Sequence, residues 1–329
     1  MTHPFSISVR LTSFEHMSSS SLPAVLAVLI LLQALTRIAS ELTKVLVPAS
    51  YKEWMETKPA WITDPNIMKE YGYTTFLYQK YDPALPNYVA SNRGCENSIY
   101  YKYIIDHYDS FPDIAVFVHS KPEVHIPNSY KNWLDVLKCI SPNATYMSLN
   151  FDKKICREFF NGHWASFGIW LEQCMRDALK VIWDLEPTDT AGLNLRLPPQ
   201  RQLSVCTHCC QQFFVSRAMI HKRPLKFWKD VWQMLGNQSR CHFGEPDYEN
   251  LYAFNRSSRT EVGPEPQYIN GRHHYNHIQD NGLFTQALVG EHLAHMIFGG
   301  HDLNMKFDQE TYCQNYLPQS QCPGSPCIG

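Results

Sequence analysis

The stretch from Asn92 to His125, NRGCENSIYYKYIIDHYDSFPDIAVFVHSKPEVH, decides the fold of this chain. After a Gly-containing turn, the residues from Glu96 to Tyr108 carry apolar side chains at helical spacing. Asp109–Asp113 then breaks the helix. Ile114–Val118 is a continuous apolar run, typical of a strand that is buried on both faces of a parallel sheet. The stretch therefore predicts a helix followed by a buried strand.

Two further apolar runs precede this stretch. KVLVPA, Lys44–Ala49, predicts a buried strand, and TTFLY, Thr74–Tyr78, predicts a second one rich in β-branched and aromatic residues. Tyr88–Ala90 is a candidate for a short third strand. A strand, a helix and a strand in succession are typical of a βαβ unit with a right-handed connection. We therefore expect an α/β fold: a Rossmann-like, mostly parallel sheet flanked by helices, in a single domain with long loops.

The rest of the chain is less regular. Glu186–Gln202 is Pro-rich and without periodicity, which predicts a loop. Gly236–Gly282 is a long irregular segment of the kind that forms a lid, a binding loop or a partly disordered insertion. Helices are predicted over Tyr130–Leu137, Phe167–Ile182, Pro224–Trp232 and Leu283–Phe298, and strands over Thr145–Leu149 and Gln211–Val215.

The composition is that of a folded protein. Of its 329 residues 44% are hydrophobic and 18% charged, so the chain can bury a sizeable core. The formal net charge is −2, from 29 Lys and Arg against 31 Asp and Glu. Because no basic block could follow a phosphate backbone, nucleic acid is not an expected partner.

The N-terminal segment has the features of an export signal. Residues 22–35, LPAVLAVLILLQAL, are apolar and uncharged, but the run is shorter than the ~20 residues that a membrane-spanning helix needs. Residues 1–40 are therefore either a cleaved signal peptide or a signal anchor, and membrane contact is expected through this segment alone. Both alternatives predict the secretory pathway, with the protein secreted or held in the Golgi lumen by a type II anchor.

Eleven cysteines and three Asn-x-Ser/Thr sequons agree with that route. We expect several disulfides and, because the count is odd, at least one thiol that is unpaired or intermolecular. A zinc site at Cys206–Cys210 is the alternative, although no second ligand pair follows at the spacing of a zinc finger. The main domain is expected over residues 41–312, followed by a Cys- and Pro-rich tail over 313–329.

Polar residues follow the predicted strand at Ile114–Val118, where open α/β sheets bind their ligands. His119, Glu123 and His125 are candidate metal ligands; alternatively, Lys121 and the two histidines could hold a phosphate group. The competing interpretation is an ordinary loop with satisfied polar side chains. A second group of histidines, GRHHYNH at 271–277, has loop-like neighbours and is interpreted as a solvated cluster.

Two further groups could carry chemistry. Arg93, beside the Gly94 turn at a helix start, is a candidate anion clamp, since helix N-termini present N–H groups that lack partners. Glu96 could simply complement the helix dipole. Glu291 and His295 lie four residues apart on the apolar last helix, where a pair of this kind is either a buried structural hydrogen bond or a tuned acid/base couple.

The chain contains four motifs in a characteristic order: KVLVPASYKEWM, the stretch from Asn92 to His125, CCQQFFVSRAMIHKRPLKFW and GEHLAHMIFG. Together they resemble the uncharacterised domain-of-unknown-function family 3431 over roughly residues 44–300. The chain departs from the family pattern at Val124, where Trp is common, and at His292 and Ala294, where Tyr and Trp are usual. The positions that match are Asn92, Gly94, Glu96, His119, His125, Gln211, Arg217, Glu291 and His295.

The first strand, the Asn-x-Gly turn and the apolar strand that ends in a polar triplet show a looser resemblance to the nucleotide-sugar half of GT-A glycosyltransferases. Those enzymes usually carry Asp-x-Asp at the end of that strand to hold a divalent metal, and here His119-Ser120-Lys121 stands in its place. The resemblance implies either a divalent ion such as Mn or Zn on His119 and His125, or a diphosphate neutralised by Lys121 or Arg93. The nucleotide or substrate site would contain Asn92, Arg93, Gly94, Glu96, Lys121 and Arg217.

The function implied is the transfer of a sugar from a nucleotide sugar to a glycan or small-molecule acceptor. Glu291 would deprotonate the acceptor hydroxyl and His295 would orient it. Two alternatives stay open. One is a non-catalytic secreted or cell-surface binding protein on the same scaffold. The other is a metal-dependent hydrolase in which the His/Glu group binds zinc and activates water.

Overall fold

The computed structural model describes residues 42–50, 54, 57–80, 82–89, 95–158, 168–197, 204–237, 267–269, 272–274 and 281–328. The chain divides into two units, and every element named below belongs to the second, Thr43–Gly329. The predicted export signal at 1–40 lies outside the described residues. Within the described part, no helix combines the length and the apolar character that crossing a bilayer requires.

The elements alternate between strands and helices along much of the chain. In order they are β1 (Lys44–Ser50), α1 (Ala60–Thr63), α2 (Pro65–Glu70), β2 (Thr74–Thr75), β3 (Tyr78–Gln79), α3 (Glu96–Asp106), β4 (Ile114–His119), α4 (Asp135–Lys138), β5 (Tyr146–Ser148), β6 (Lys154–Glu158), α5 (Gly168–Ile182), α6 (Thr190–Arg196), β7 (Ser204–His208), β8 (Phe213–Ser216), α7 (Arg217–Ile220), α8 (Leu225–Trp232), β9 (Gln267–Ile269), β10 (Arg272–His274), α9 (Asn281–Ile297) and α10 (Gln309–Asn315).

A six-stranded mixed sheet forms the centre of the domain. β1 pairs in parallel with β4 on one side and with the short strands β2 and β3 on the other. The predicted strand at Thr74–Tyr78 is divided into two short strands, β2 and β3. The predicted buried strand at Ile114–Val118 is confirmed as β4, which runs parallel to β1. Ile114 to Val118 are at most 1% exposed, as expected for a strand that is covered on both faces.

Beyond β4 the sheet changes direction. β8 runs antiparallel to β4, and β5 runs antiparallel to β8, so β5 points the same way as β4. The α/β class and the flanking helices are confirmed, but the sheet is mixed. Because β8 is reversed, its amino end lies beside the carboxyl end of β4.

Helix α3 is largely buried because it packs against both the sheet and Phe298, the residue that follows α9. The Tyr100 ring lies 4.9 Å from the Phe117 ring of β4, and the Tyr101 ring stacks at 5.6 Å on Phe298. The close approach of α9 to α3 requires a glycine, since a Cβ atom at Gly290 would lie 2.1 Å from the Asn97 amide nitrogen. These contacts fix the start of α3 against α9.

Three local features differ from the sequence predictions. The predicted loop Glu186–Gln202 contains α6, whose first turn is capped by Asp189 accepting the Gly192 N–H at 2.7 Å. The predicted helix Tyr130–Leu137 is reduced to the single turn of α4. The antiparallel pair of β6 and β7 was not predicted, because no long alternating pattern marks either strand.

The cysteines form disulfides, as predicted. One of them, Cys139–Cys322, ties the C-terminal tail to the domain. Cys95 carries a thiol rather than a disulfide. The described pairs are Cys139–Cys322, Cys156–Cys206, Cys209–Cys210 and Cys313–Cys327. Such a set indicates an oxidising compartment such as the secretory pathway.

We predict that replacing Cys139 and Cys322 by Ser destabilises the protein more than replacing Cys313 and Cys327 does. The first pair lies 183 residues apart and the second 14 apart. Chain entropy alone gives losses of ~5 kcal/mol and ~3 kcal/mol respectively. Chemical denaturation of the two double variants measures the unfolding free energies. Equal losses, or the reverse order, would contradict the prediction.

Candidate functional site

The carboxyl ends of β1, β3, β4 and β5 lie at one edge of the sheet, which we call the carboxyl edge. The amino end of β8 joins them there because β8 is antiparallel. From β1 the chain first adds β2 and β3 on one side and then passes through α3 to place β4 on the other. Open α/β sheets bind ligands in the crevice that forms where the strand order reverses in this way.

Lys80 and His119 lie on the same face of this edge. Ala49 pairs in register with both Tyr78 and His119, so these three side chains share a face. The Tyr78 hydroxyl donates to Asp106 of α3, which identifies the face as the one that α3 covers. Lys80 follows Tyr78 by two residues, and its ammonium donates to the Cys95 carbonyl at the start of α3. The small Ala49 side chain therefore lies between Tyr78 and His119, and Lys80 lies two residues beyond Tyr78 on the same face.

Lys80 is the residue that sequence reasoning missed. Its side chain is only 7% exposed, and burial lowers its pKa to about 8, while the neighbouring Cys95 and Glu96 raise it. The amine is therefore still mostly protonated at neutral pH. A charged residue two positions after the predicted strand TTFLY was the available signal, since polar residues after a strand had pointed to His119.

His119 lies at the centre of a group of polar residues. Its backbone N–H donates to the Gln212 side chain at 3.1 Å, and its Nε2 lies 4.0 Å from Glu96 Oε1, an ion-pair distance when the imidazole is protonated. The His125 ring stands edge-on to it with 5.3 Å between centroids. Burial lowers the pKa of His125, and nearby His119 and Lys153 lower it further. The structure thus brings Glu96, His119 and His125 together.

Three buried polar atoms at the carboxyl edge have no hydrogen-bond partner in the described part of the chain. They are Ser50 Oγ at the end of β1, His119 Nε2 at the end of β4 and Asn150 Oδ1 shortly after β5. Ser50 is 1% exposed and Asn150 is fully buried. Unsatisfied buried polar groups are costly, so each of these three atoms is available to a polar ligand at its place in the structure.

Glu96, His119 and His125 do not form a metal centre. No three His, Cys, Asp or Glu side chains within the described residues are arranged to hold a metal ion. His119 and His125 meet edge to face, and the Glu96 carboxylate lies 4.0 Å from His119 Nε2. This arrangement of the described side chains does not fit a metal cage.

Lys121 and Arg217 occupy different places. Lys121 is exposed on the loop that follows β4, next to the carboxyl edge. Arg217 follows β8 and therefore lies at the opposite edge, where its guanidinium donates to the Phe111 carbonyl and pairs with Asp113 at 3.3 Å. The structure does not bring Arg217 together with His119.

The predicted pair on α9 is split between two environments. Glu291 accepts a hydrogen bond from the backbone N–H of Cys210, which places its carboxylate beside the amino end of β8 at the carboxyl edge. His295, one turn later, is fully buried, and its Nε2 lies 3.1 Å from the Leu303 carbonyl. Burial lowers the His295 pKa to about 4, so the ring is neutral.

A polar groove of about 420 Å³ lies away from this site, beside Thr145 at the amino end of β5. Its walls are mostly exposed and carry charges of both signs, among them Asp302, Lys306 and Asp308. None of the buried polar atoms without partners belongs to its lining. We therefore place the candidate site at the carboxyl edge.

Several predicted residues lie outside the described residues. These are Asn92, Arg93 and Gly94, and His277 of the GRHHYNH segment. Of that segment, the backbone of Arg272–His274 forms β10, which pairs with β9.

A family model described as "Protein of unknown function (DUF3431)" matches residues 46–248, more than half of the chain. The match includes β1, α3, β4 and β8 and ends before α9. No curated protein and no solved structure matches the chain.

We predict that the free energy of unfolding falls as the pH drops from 6.5 to about 4. His208 and His295 are buried, and burial lowers the pKa of each from 6.5 to about 4. In this window the unfolded chain binds a proton on each imidazole that the folded chain does not. Each group therefore removes on the order of 3 kcal/mol, and the full stability is present above pH 6.5.

Urea denaturation between pH 7.5 and 4.5 measures this slope. In His295→Asn the slope should decrease, whereas the exposed His221→Asn serves as the control and should leave it unchanged. An unchanged slope in His295→Asn would contradict the assignment.

Proposed function

The chain belongs to the DUF3431 family of proteins of unknown function, and we propose that it is a glycosyltransferase-like enzyme that acts on a nucleotide sugar. The observation that carries the proposal is that Lys80 and His119 lie on the same face of the carboxyl edge, the face that α3 covers. We also propose that the mixed sheet is of the Rossmann-like GT-A type. The parallel pairing of β1 with β4 and the polar triplet after β4 support that assignment.

The donor diphosphate is assigned to the space between Lys80 and His119, beneath the start of α3. The Lys80 ammonium supplies a positive charge in a buried setting, where electrostatic attraction is stronger than in water. Among the described residues no side chain caps the first turn of α3, and the N–H groups of a helix N-terminus are suited to an anionic ligand. The His119 Nε2, which has no hydrogen-bond partner among the described residues, adds a further polar contact for the ligand.

This arrangement suits the step in which a diphosphate departs. Charge builds up on the leaving oxygen as the bond to the sugar breaks, and preorganised donors lower the free energy of that state. Lys80 takes the role expected of Lys121 or Arg93, because it is buried on the same face of the edge as His119 whereas Lys121 is exposed. The Glu96 carboxylate lies 4.0 Å from His119 Nε2 and so adds a negative charge beside the ring.

The acceptor base in the proposal is Glu291. Its carboxylate lies at the carboxyl edge through its bond to Cys210, whereas His295 is enclosed by protein and bonded to Leu303. We therefore assign His295 to the core and leave Glu291 alone to remove the proton from the acceptor hydroxyl. The acceptor itself is a glycan or a small molecule with a hydroxyl group.

We predict that UDP-sugars or GDP-sugars raise the melting temperature of the protein and that His119→Ala and Lys80→Met reduce this effect. Loss of one charged hydrogen-bond partner should weaken donor binding by ~10–100-fold. A thermal-shift series for each variant against its own ligand-free baseline, with and without Mn²⁺, measures the change. Lys229→Met is the matched control, because Lys229 is exposed on α8. Equal ligand-induced shifts in all four proteins would rule out this site.

A second candidate function is binding of the same nucleotide sugar without transfer. The observation in its favour is that the Glu291 carboxylate already accepts a backbone hydrogen bond, as a structural residue would. In that case the protein would hold the donor at Lys80 and His119 and release it unchanged. The family's unknown activity leaves both candidates to experiment.

We predict that Glu291→Gln abolishes sugar transfer, with a loss of at least ~100-fold in kcat, while donor binding changes little. The amide keeps an oxygen for the Cys210 N–H but cannot take a proton. Donor consumption and calorimetric binding are measured on the same preparations. If the unaltered protein binds the donor and never consumes it with any acceptor, the binding function is correct and the transfer is wrong.

A further inference from the structure

The segment Cys209–Gln212 contains a disulfide between two adjacent residues, Cys209 and Cys210. Cys210 and Gln211 both have a positive φ, of 76° and 43°, a conformation that residues other than glycine rarely adopt. Cys209 is 8% exposed, and Cys210 is partly exposed. This segment leads directly into β8 at the carboxyl edge.

The disulfide of this segment differs from the others in what it can stabilise. Cys139–Cys322 and Cys156–Cys206 join residues 183 and 50 apart, so each closes a long loop of the unfolded chain. A bond between neighbours closes no such loop and gives almost no stabilisation of that kind. Its effect is therefore local, on the conformation of the segment itself.

That conformation determines how the segment meets the site. The Cys210 N–H donates to Glu291, and the Gln211 amide donates to Asn97 of α3 at 2.9 Å. Gln212 accepts from the His119 N–H at 3.1 Å and donates to the Pro122 carbonyl at 3.2 Å. One four-residue segment thus supports the proposed base, the start of α3 and the end of β4.

We propose that Cys209–Cys210 is a dithiol-reducible site that controls the carboxyl edge. A thiolate of a small or protein dithiol attacks the partly exposed Cys210 sulfur and forms a mixed disulfide, and Cys209 leaves as a thiolate that takes up a proton. The second thiol of the reductant then displaces Cys210, so that the protein gains two electrons and two protons and the dithiol becomes a disulfide.

Reduction opens the ring formed by Cys209 and Cys210, so Cys210 relaxes from positive φ toward an ordinary backbone conformation, and the adjacent Gln211 is released from the arrangement that Cys210 imposes on it. The Cys210 N–H then turns away from Glu291, and the Gln212 side chain shifts from the His119 backbone. The oxidised form is therefore the competent one. This regulation rests on the carboxyl edge being the functional site proposed above.

The test combines chemical mapping with a spectroscopic readout of His119. The protein is equilibrated with increasing dithiothreitol, alkylated and mapped by mass spectrometry. The imidazole signal of His119, assigned with His119→Gln, is followed by NMR on histidine-labelled protein. We expect Cys209 and Cys210 to become alkylated at a dithiol concentration at least tenfold lower than the buried Cys139–Cys322 requires, with a shift of the His119 signal that oxidised dithiothreitol reverses.

The double variant Cys209→Ser/Cys210→Ser should reproduce the reduced His119 signal without reductant. The control Cys313→Ser/Cys327→Ser, which removes a disulfide of the tail, should keep the oxidised signal. The proposal is overturned if mapping finds Cys209 and Cys210 paired elsewhere, if Cys139–Cys322 is reduced first, or if the His119 signal is insensitive to the state of the pair. Neither readout uses a nucleotide, so a failure of the proposed sugar transfer would be seen separately.

Discussion

The parallel pairing of β1 with β4 is the constraint on which the rest of the structure depends. Six consecutive residue pairs from Lys44 to Ala49 set its register, and the apolar residues of β4 are buried on both faces. That register places Ala49 beside His119, and β3 places Tyr78 on the other side of Ala49, with Lys80 two residues beyond Tyr78 on the same face. A shift of one residue would turn His119 to the opposite face, away from α3. The site is thus a consequence of strand register.

The antiparallel strand β8 brings backbone and side-chain amide groups to the carboxyl edge. The parallel strands end there in loops that lead away from the sheet, whereas β8 begins there. The Gln212 side chain is fully buried and bonded at both its oxygen and its nitrogen, and so it fixes the end of β4. A satisfied buried amide of this kind is rigid and specific to one arrangement. The same segment connects Glu291 and α3, which explains how one short stretch affects the whole edge.

Local sequence patterns were enough for β1, α3 and β4, because burial on both faces and helical spacing are visible within a few residues. They could not give the direction of β8, because the apolar pattern of QQFFV is the same for a parallel and an antiparallel strand. The predicted site therefore included Arg217, which lies at the opposite edge of the sheet. Lys80 was missed because its burial comes from packing under α3. Glu291 and His295 lie one turn apart on the same side of α9. The elements packed against that helix place the Glu291 carboxylate at the carboxyl edge and the His295 ring in the core.

Our central proposal is that a ligand with a diphosphate binds on the α3 face between Lys80 and His119. NMR titration of isotope-labelled protein with UDP-glucose and GDP-mannose tests this binding most directly. We expect saturable shifts at Lys80, Glu96 and His119 with either donor, and unchanged signals at Arg217 and in the groove beside Thr145. Shifts confined to that groove or to Arg217, or no saturable shift with any nucleotide sugar, would contradict it.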